Sequence, residues 1–363
     1  MIGVRHSRGR VVEVTSSDDL DVRLAAGVRS LAGWRVIGVD LRGRGAELLS
    51  RSLAQALFLG CTFAPGEEDA VRRAGAVVLP PIPDIPVDPY RSRLYSPRDL
   101  YDADVYADST DARAYAWSLG GHDADDLLAR ALHDHAVGSA LEDWTDGRSL
   151  VGVMGGHAHQ RGSADYLDAA RLGHGLGDRL TVATGGGPGA MEAANLGAFL
   201  ADHPSDAVAD AVDRIAAVPS FRPDIGAWAG AALGVVDDTP RGRESLGIPT
   251  WHYGHEPPNP FATSIAKFFA NAPREAVLLQ VCDAGIVFLP GAGGTVQEVF
   301  QDACENYYAD PSSVAPMVLV GVRHWTEELP AWPLLQALAR DRVMQEHIHL
   351  VDTVDEAAAI VTG

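Results

Sequence analysis

Lysine is nearly missing from this chain. Lys267 is the only one in 363 residues, so the 29 basic residues are otherwise all arginine. A phosphate-binding GxxxxGK[ST] loop is therefore excluded, because the one lysine sits in Ile265-Ala266-Lys267-Phe268. A pyridoxal-phosphate enzyme needs a Schiff-base lysine, and the neighbours of Lys267 read as a helix rather than a cofactor pocket. Positive charge is scarce in general: 29 Lys+Arg against 49 Asp+Glu leave a net charge of −20. Such a chain has no general basic surface with which to neutralise nucleic-acid phosphates. Cysteine is sparse too. Cys61, Cys282 and Cys304 form no CxxC and no disulfide framework, which fits a reducing compartment. No apolar run approaches the ~20 residues that span a bilayer. Met1 to Arg10 is charged and has no apolar segment after it, so no leader is expected. The expectation is a cytoplasmic protein that binds neither nucleic acid nor membrane.

What is present is apolar and glycine-rich. Hydrophobic residues make up 47% and charged residues 21%, with 38 Gly and 22 Pro, the profile of a folded chain of about two domains. The pattern changes near residue 147, which predicts an N-terminal domain over 1–147 and a second over 148–363. In the first, Leu48, Leu53, Phe58 and Phe63 recur every five residues. A pentapeptide-type coil would need several turns to close a core, so the expectation is a small apolar patch in a smaller mixed domain. Pro80 to Pro89 reads as an extended connection, and residues 98–145 as acidic, solvated helices.

From Ser149 strands alternate with helices. Leu150–Met154, Leu180–Thr184, Ala284–Leu289, Met317–Val320 and Ile348–Val351 read as strands, with Ile248–Tyr253 a further candidate. Helices are expected over 163–177, 190–200, 262–282, 295–307 and 331–342, with another closing the chain. The fold class that follows is α/β: a Rossmann-like, doubly wound parallel sheet with helices on both faces, and ligands at the carboxyl ends of the strands.

Two strand–loop–helix junctions carry the functional information. One is Thr184-Gly185-Gly186-Gly187-Pro188-Gly189-Ala190-Met191-Glu192; the other is Pro290-Gly291-Ala292-Gly293-Gly294-Thr295-Val296-Gln297-Glu298. Glycine lets a backbone approach a ligand closely, and a helix N-terminus offers unpaired N–H groups to an anion. Two such junctions in one sheet predict one phosphate held between them. Neither is a GxGxxG fingerprint, and the acids that follow, Asp206 and Asp210, lie in a helical stretch. Both facts weigh against a dinucleotide oxidoreductase.

These two segments resemble the paired signatures of the Lonely Guy family of nucleoside 5′-monophosphate phosphoribohydrolases, often mislabelled lysine decarboxylases. The family pattern PGGxGTxxE is met except for Ala292 in place of a glycine. Met154-Gly155-Gly156-His157, Glu256-Pro257-Pro258-Asn259-Pro260 and the position of Arg274 bring the resemblance closest to the larger bacterial pyrimidine/purine nucleotide 5′-monophosphate nucleosidases. It covers roughly residues 148–320. It implies that Gly155, Gly156, His157, Gly185, Gly186, Gly187, Gly189, Met191, Asn259, Gly291, Gly293, Gly294 and Thr295 hold the nucleotide. It also implies that Glu298, Glu192 and Arg274 serve catalysis.

The chemistry agrees with those roles. Hydrolysis of an N-glycosidic bond develops positive charge on the ribose, which a carboxylate can stabilise while it orients water. Glu298 and Glu192 each stand one turn past a glycine loop, where their plainer role is to complement a helix dipole. Arg274 is placed to bind phosphate or polarise the departing base, or to form an ordinary ion pair. No HExxH or Cys/His spacing indicates a metal, and no cofactor is implied. The leading expectation is a hydrolase of a nucleoside monophosphate; the alternative is a sensor that binds the same ligand without cleaving it. The family resemblance further implies a homodimer or higher homo-oligomer.

Overall fold

The computed structural model describes residues 12–120, 123–252 and 256–363. The leader reading of Met1 to Arg10 and the end of the expected strand at Tyr253 lie outside them. The chain forms two compact units, Met1–Ser92 with His122–Ala136, and Arg93–Gly121 with Val137–Gly363. It thus passes between units at 92/93, 121/122 and 136/137, where the sequence reading has one boundary at 147/148.

The first unit contains four parallel strands in chain order: β1 (Val12–Val14), β2 (Trp34–Ile37), β3 (Leu57–Leu59) and β4 (Val77–Leu79). Helices α1 (Ser17–Ala25), α2 (Gly45–Leu49) and α3 (Glu67–Arg73) return the chain between them, as parallel pairing requires. The pairings Val12↔Trp34, Ser30↔Ser52, Arg35↔Leu57 and Asp40↔Thr62 share one offset of 22 residues. Inward positions repeat with that offset. Leu31, Trp34, Val36, Val39 and Leu41 belong to one coil; Leu53, Ala56, Phe58, Cys61 and Phe63 belong to the next. The expected small patch is therefore a stacked coil, each turn burying its face against its neighbour. The five-residue step arises because Leu53, Phe58 and Phe63 are inward positions of one coil, with Ala56 and Cys61 between them.

In the second unit, α4 (Pro97–Leu100), α5 (Thr110–Ser118) and the end of α6 (Ala124–Thr145) precede the main sheet. Its elements are β5 (Leu150–Met154), α7 (Ala164–Gly177), β6 (Thr181–Thr184), α8 (Ala190–Phe199), α9 (Asp206–Ile215), α10 (Ile225–Asp238), β7 (Leu246–Gly247), β8 (Ser264–Ile265), α11 (Asn271–Gln280), β9 (Ile286–Phe288), α12 (Gly293–Tyr308), β10 (Met317–Val320), α13 (Ala331–Ala339), β11 (Ile348–Val351) and α14 (Val354–Thr362). The seven strands run in the order β11-β10-β9-β5-β6-β7-β8, and every pair is parallel. The fold is the α/β doubly wound sheet, with helices on both sides. The chain winds outward from β5 and then crosses back to β9, so the switch point lies between those two strands.

Three local expectations are corrected. Residues 248 and 249 are loop and Thr250 makes only an isolated parallel bridge to Phe268, while the strand is the two-residue β7 just before them. The helix expected over 262–282 is β8, a connection and then α11. Lys267 lies in that connection rather than in a helix. It is fully buried, and its Nζ donates to Asp111 Oδ1 at 2.6 Å. Asp111 also accepts from Trp251 Nε1 at 2.8 Å and Tyr106 Oη at 2.7 Å. Burial draws the Lys267 ammonium below its ordinary range, and Asp111 opposes that.

Helix α7 starts at Ser163, whose hydroxyl accepts from Tyr166 N at 3.3 Å, and it buries Tyr166, Ala169, Ala170, Leu172 and Leu176. It meets α8 backbone to backbone. A Cβ on Gly197 would overlap the Ala170 carbonyl oxygen, and one on Gly173 the Ala194 carbonyl. Gly197→Ala is expected to force the helices apart and lower stability by about 1–3 kcal/mol or more, read from the denaturant midpoint. An unchanged midpoint would show that this contact is not tight.

Candidate active site

The carboxyl ends of β5, β6 and β9 open into one cleft of about 580 Å³ at the switch point. Gly155, Gly156 and His157 line it after β5, Gly185, Gly187 and Met191 after β6, and Gly291, Gly294, Thr295 and Glu298 after β9. Arg274 enters from α11. Most of the sequence-derived candidates therefore converge.

The two glycine junctions are not equivalent. At α8 the end is closed: Ala190 N donates to Gly156 O at 3.1 Å, and the first helical turn is almost wholly buried. At α12 the N-cap Ala292 offers no side-chain cap, and the first turn holds no acid. Gly293 and Gly294 are exposed, and Gly294 and Thr295 line the cleft. The first N–H groups of a helix lack intrahelical partners, so α12 is the helix whose N-terminal amides stay open to the cleft. The expectation of one phosphate between two open helix ends is thus corrected to one open end facing a rigid loop.

That rigid loop is held from behind. Gly186 and Gly189 take φ of +72° and +76°, values that L side chains rarely adopt. Asn259 is fully buried: its Nδ2 donates to Gly187 O at 3.2 Å and Asn195 Oδ1 at 3.1 Å, and its Oδ1 accepts from Ala262 N at 3.0 Å. Asn259 is therefore a brace for the loop rather than a contact to a ligand. Gly186, Gly189 and Gly293 likewise do not line the cleft itself.

Arg274 is held by two backbone carbonyls, Nε to Ile248 O at 2.6 Å and Nη2 to Gly185 O at 3.2 Å. A side chain on Gly185 would strike both Arg274 Nη2 and Met191 Sδ. Nη1 remains, 3.9 Å from Glu298 Oε1. So fixed, Arg274 presents one edge to Glu298 rather than an open fork. Burial pushes the Glu298 carboxyl up to about 7, with Arg274 pulling it down and Glu275 adding to the rise. Glu275 accepts from Gln297 Nε2 at 2.8 Å and Asn271 Nδ2 at 2.7 Å.

Glu192 departs from the expectation. It is 1% exposed and bound to the guanidinium of Arg161, with Arg161 Nε 3.0 Å from Oε1 and 3.2 Å from Oε2. Arg161 also lies 4.5 Å over the Trp228 ring and donates to Trp228 O at 3.0 Å. Glu192 borders a smaller crevice of about 250 Å³ with Phe221 and Trp228 and does not line the cleft that holds Glu298. Two carboxylates flanking one ribose is not the arrangement found. Arg161 was not singled out in the sequence, because a lone arginine 31 positions before its partner leaves no local signal. Thr250, Glu256, Gln297, His159 and His324 also line the cleft and were not foreseen as site residues.

One turn beyond Glu298, Asp302 is 7% exposed, and its Oδ2 has no hydrogen-bond partner. Burial pushes it up to about 8. Its folded value is raised, so it stays protonated where the unfolded chain has lost its proton. Stability therefore falls as pH rises between about 4 and about 8. Asp302→Asn removes that slope and is expected to melt higher than wild type above pH 8, with the gap closing toward pH 4. Parallel melting curves across that window would refute it.

Among the described residues no group of three or more His, Cys, Asp or Glu side chains is placed to hold a metal ion. No helix among them is long and apolar enough to cross a membrane.

With this geometry in view, residues 230–363 match a family model described as "Possible lysine decarboxylase". The chain is also similar to the molybdenum cofactor binding protein of Rippkaea orientalis, at 16% identity and TM-score 0.37, over 59% of this chain and 96% of that one. A molybdenum cofactor carrier protein from Chlamydomonas reinhardtii gives 18% identity and TM-score 0.36 over the same shares. No curated protein matches the chain significantly.

Proposed function

We propose that this chain hydrolyses the N-glycosidic bond of a nucleoside 5′-monophosphate, releasing free base and ribose 5-phosphate. The observation that carries the reading is Glu298: a half-buried carboxyl raised to about 7, one turn past the open N-terminus of α12, in one cleft with Arg274. One helical turn is about 5.4 Å, a spacing that suits a ribose lying with its 5′-phosphate on the helix end and its anomeric carbon beside the carboxylate. Glu298 then takes a proton from the attacking water and faces the cationic ribose as the bond to the base breaks. Arg274 keeps the carboxylate in place and holds part of its population ionised. The same proposal carries a cofactor-free cytoplasmic reaction and paired subunits.

The decarboxylase label of the matching family does not fit. Pyridoxal chemistry needs an accessible lysine, and Lys267 is buried and paired with Asp111. Incubation with a panel of nucleoside monophosphates, followed by detection of free base, tests the reading. Tight binding with no base released from any of them would replace hydrolysis by ligand sensing.

A further inference from the structure

The cleft has a charge deficit. Among the described residues its charged side chains are Arg274, Glu256 and Glu298, and Arg274 is already engaged by two carbonyls. A phosphate monoester brings about −2 more near neutral pH. Among the described residues the groups able to add positive charge are three histidines that line the cleft: His157, His159 and His324. His157 is 61% exposed, 3.8 Å from Glu256. His159 lies 3.5 Å from Asp165 and 3.4 Å from Pro290 O.

His324 is different because it meets a backbone N–H of the anion-binding loop, where His159 meets only the Pro290 carbonyl. Gly291 N lies 3.4 Å from its Nε2, and Glu328 Oε2 lies 3.3 Å from its Nδ1. A backbone N–H can only donate, so Nε2 is the bare nitrogen and Nδ1 carries the hydrogen. The ring sits on a single π turn, His324–Glu328, closed by Leu329 N to His324 O at 2.8 Å. Such turns insert one residue and re-aim a side chain. Trp325, fully buried with Nε1 on Val320 O at 2.9 Å, fixes the turn.

We infer that His324 is a phosphate ligand which takes up a proton as the anion binds, an assignment that rests on the phosphate site proposed above. In the free cleft Gly291 N–H and Nε2 satisfy each other. A phosphate oxygen at the loop accepts from Gly291 and from Nε2 together only when Nε2 carries hydrogen. Solvent supplies that proton, no bond to phosphorus changes, and Glu328 faces the resulting imidazolium. Around the turn, Arg323 pairs with Glu328 at 3.3 Å, Glu327 is 4.0 Å from Arg323, and Asp352 accepts from Val322 N at 3.0 Å. Helix α13, packed against the turn, carries no charged residue. From the cleft side His324 faces Arg274, Glu298, Glu256, His157 and His159.

The test is calorimetric titration with ribose 5-phosphate in buffers of different ionisation enthalpy, slightly above neutral pH. Wild type is expected to take up close to one proton on binding. H324Q keeps an acceptor for Gly291 N–H but cannot become a cation, so it should support the loop yet bind about tenfold more weakly, with the uptake lost. E328Q should weaken binding about threefold with the loop untouched. H324Q indistinguishable from wild type in affinity and proton uptake overturns the assignment alone. Wild type that binds no ribose 5-phosphate overturns the assignment and the phosphate site together.

Discussion

Glu298→Gln is expected to lower kcat for base release by about 10²- to 10⁴-fold, the usual contribution of a positioned general base. The amide keeps the shape and the half-buried position but cannot take a proton from water. Nucleotide binding should be little changed, because the α12 amides that meet the phosphate remain, so KM moves far less than kcat. The pH profile gives a second reading of the same group. The reacting form is the carboxylate, and its value is raised to about 7 by burial, so the rate should be lost as pH falls through about 7. Arg274 opposes that rise, so Arg274→Gln should move the limb to higher pH as well as lower the rate. Turnover by Glu298→Gln equal to wild type would remove Glu298 from the chemistry.

Arg161→Met should produce the largest loss of stability. Arg161 and Glu192 are each about 1% exposed as side chains, so the methionine leaves an ionised carboxylate buried without its partner. Breaking such a pair from one side costs about 3–5 kcal/mol. For a chain of this size that is about 4–7 degrees in Tm. Adding Glu192→Leu removes the stranded charge and should recover much of the loss. Thermal melts of the single and double variants decide the matter: equal melting of all three proteins would mean the pair is not desolvated. Glu192→Gln separates the roles of the two acids. With the geometry found, it should retain base release where Glu298→Gln does not.

Much of the second unit was legible because several of its parallel strands are short apolar runs and its helices keep a clear period. Leu150–Met154, Met317–Val320 and Ile348–Val351 occur where expected. The α12 junction was legible for a related reason: a strand, Pro290 to Gly294 and a helical pattern leave few other folds for those residues. What escaped was non-local. β7 and β8 have two residues each, too few for any period to register. The coil of the first unit repeats at 22 residues but shifts to 20 between Leu57 and Val77, which blurs self-similarity in so short an array. Which of two glycine junctions stays open depends on whether a carbonyl from another loop caps it, as Gly156 caps α8. Arg161, His324 and the brace formed by Asn259 are contacts across 31 or more positions.

The burial of Lys267 gives the molecule an unusual reagent profile. Acylating compounds that attack side-chain amines would find none on the native surface, since this chain has one lysine and it is 1% exposed in its ion pair with Asp111. That amine becomes reactive when the second unit opens. Apart from any chain-terminal amine, each molecule can then acquire one label and no more. The rate at which that mass increment accumulates would count opening events of the second unit, without a probe having been introduced.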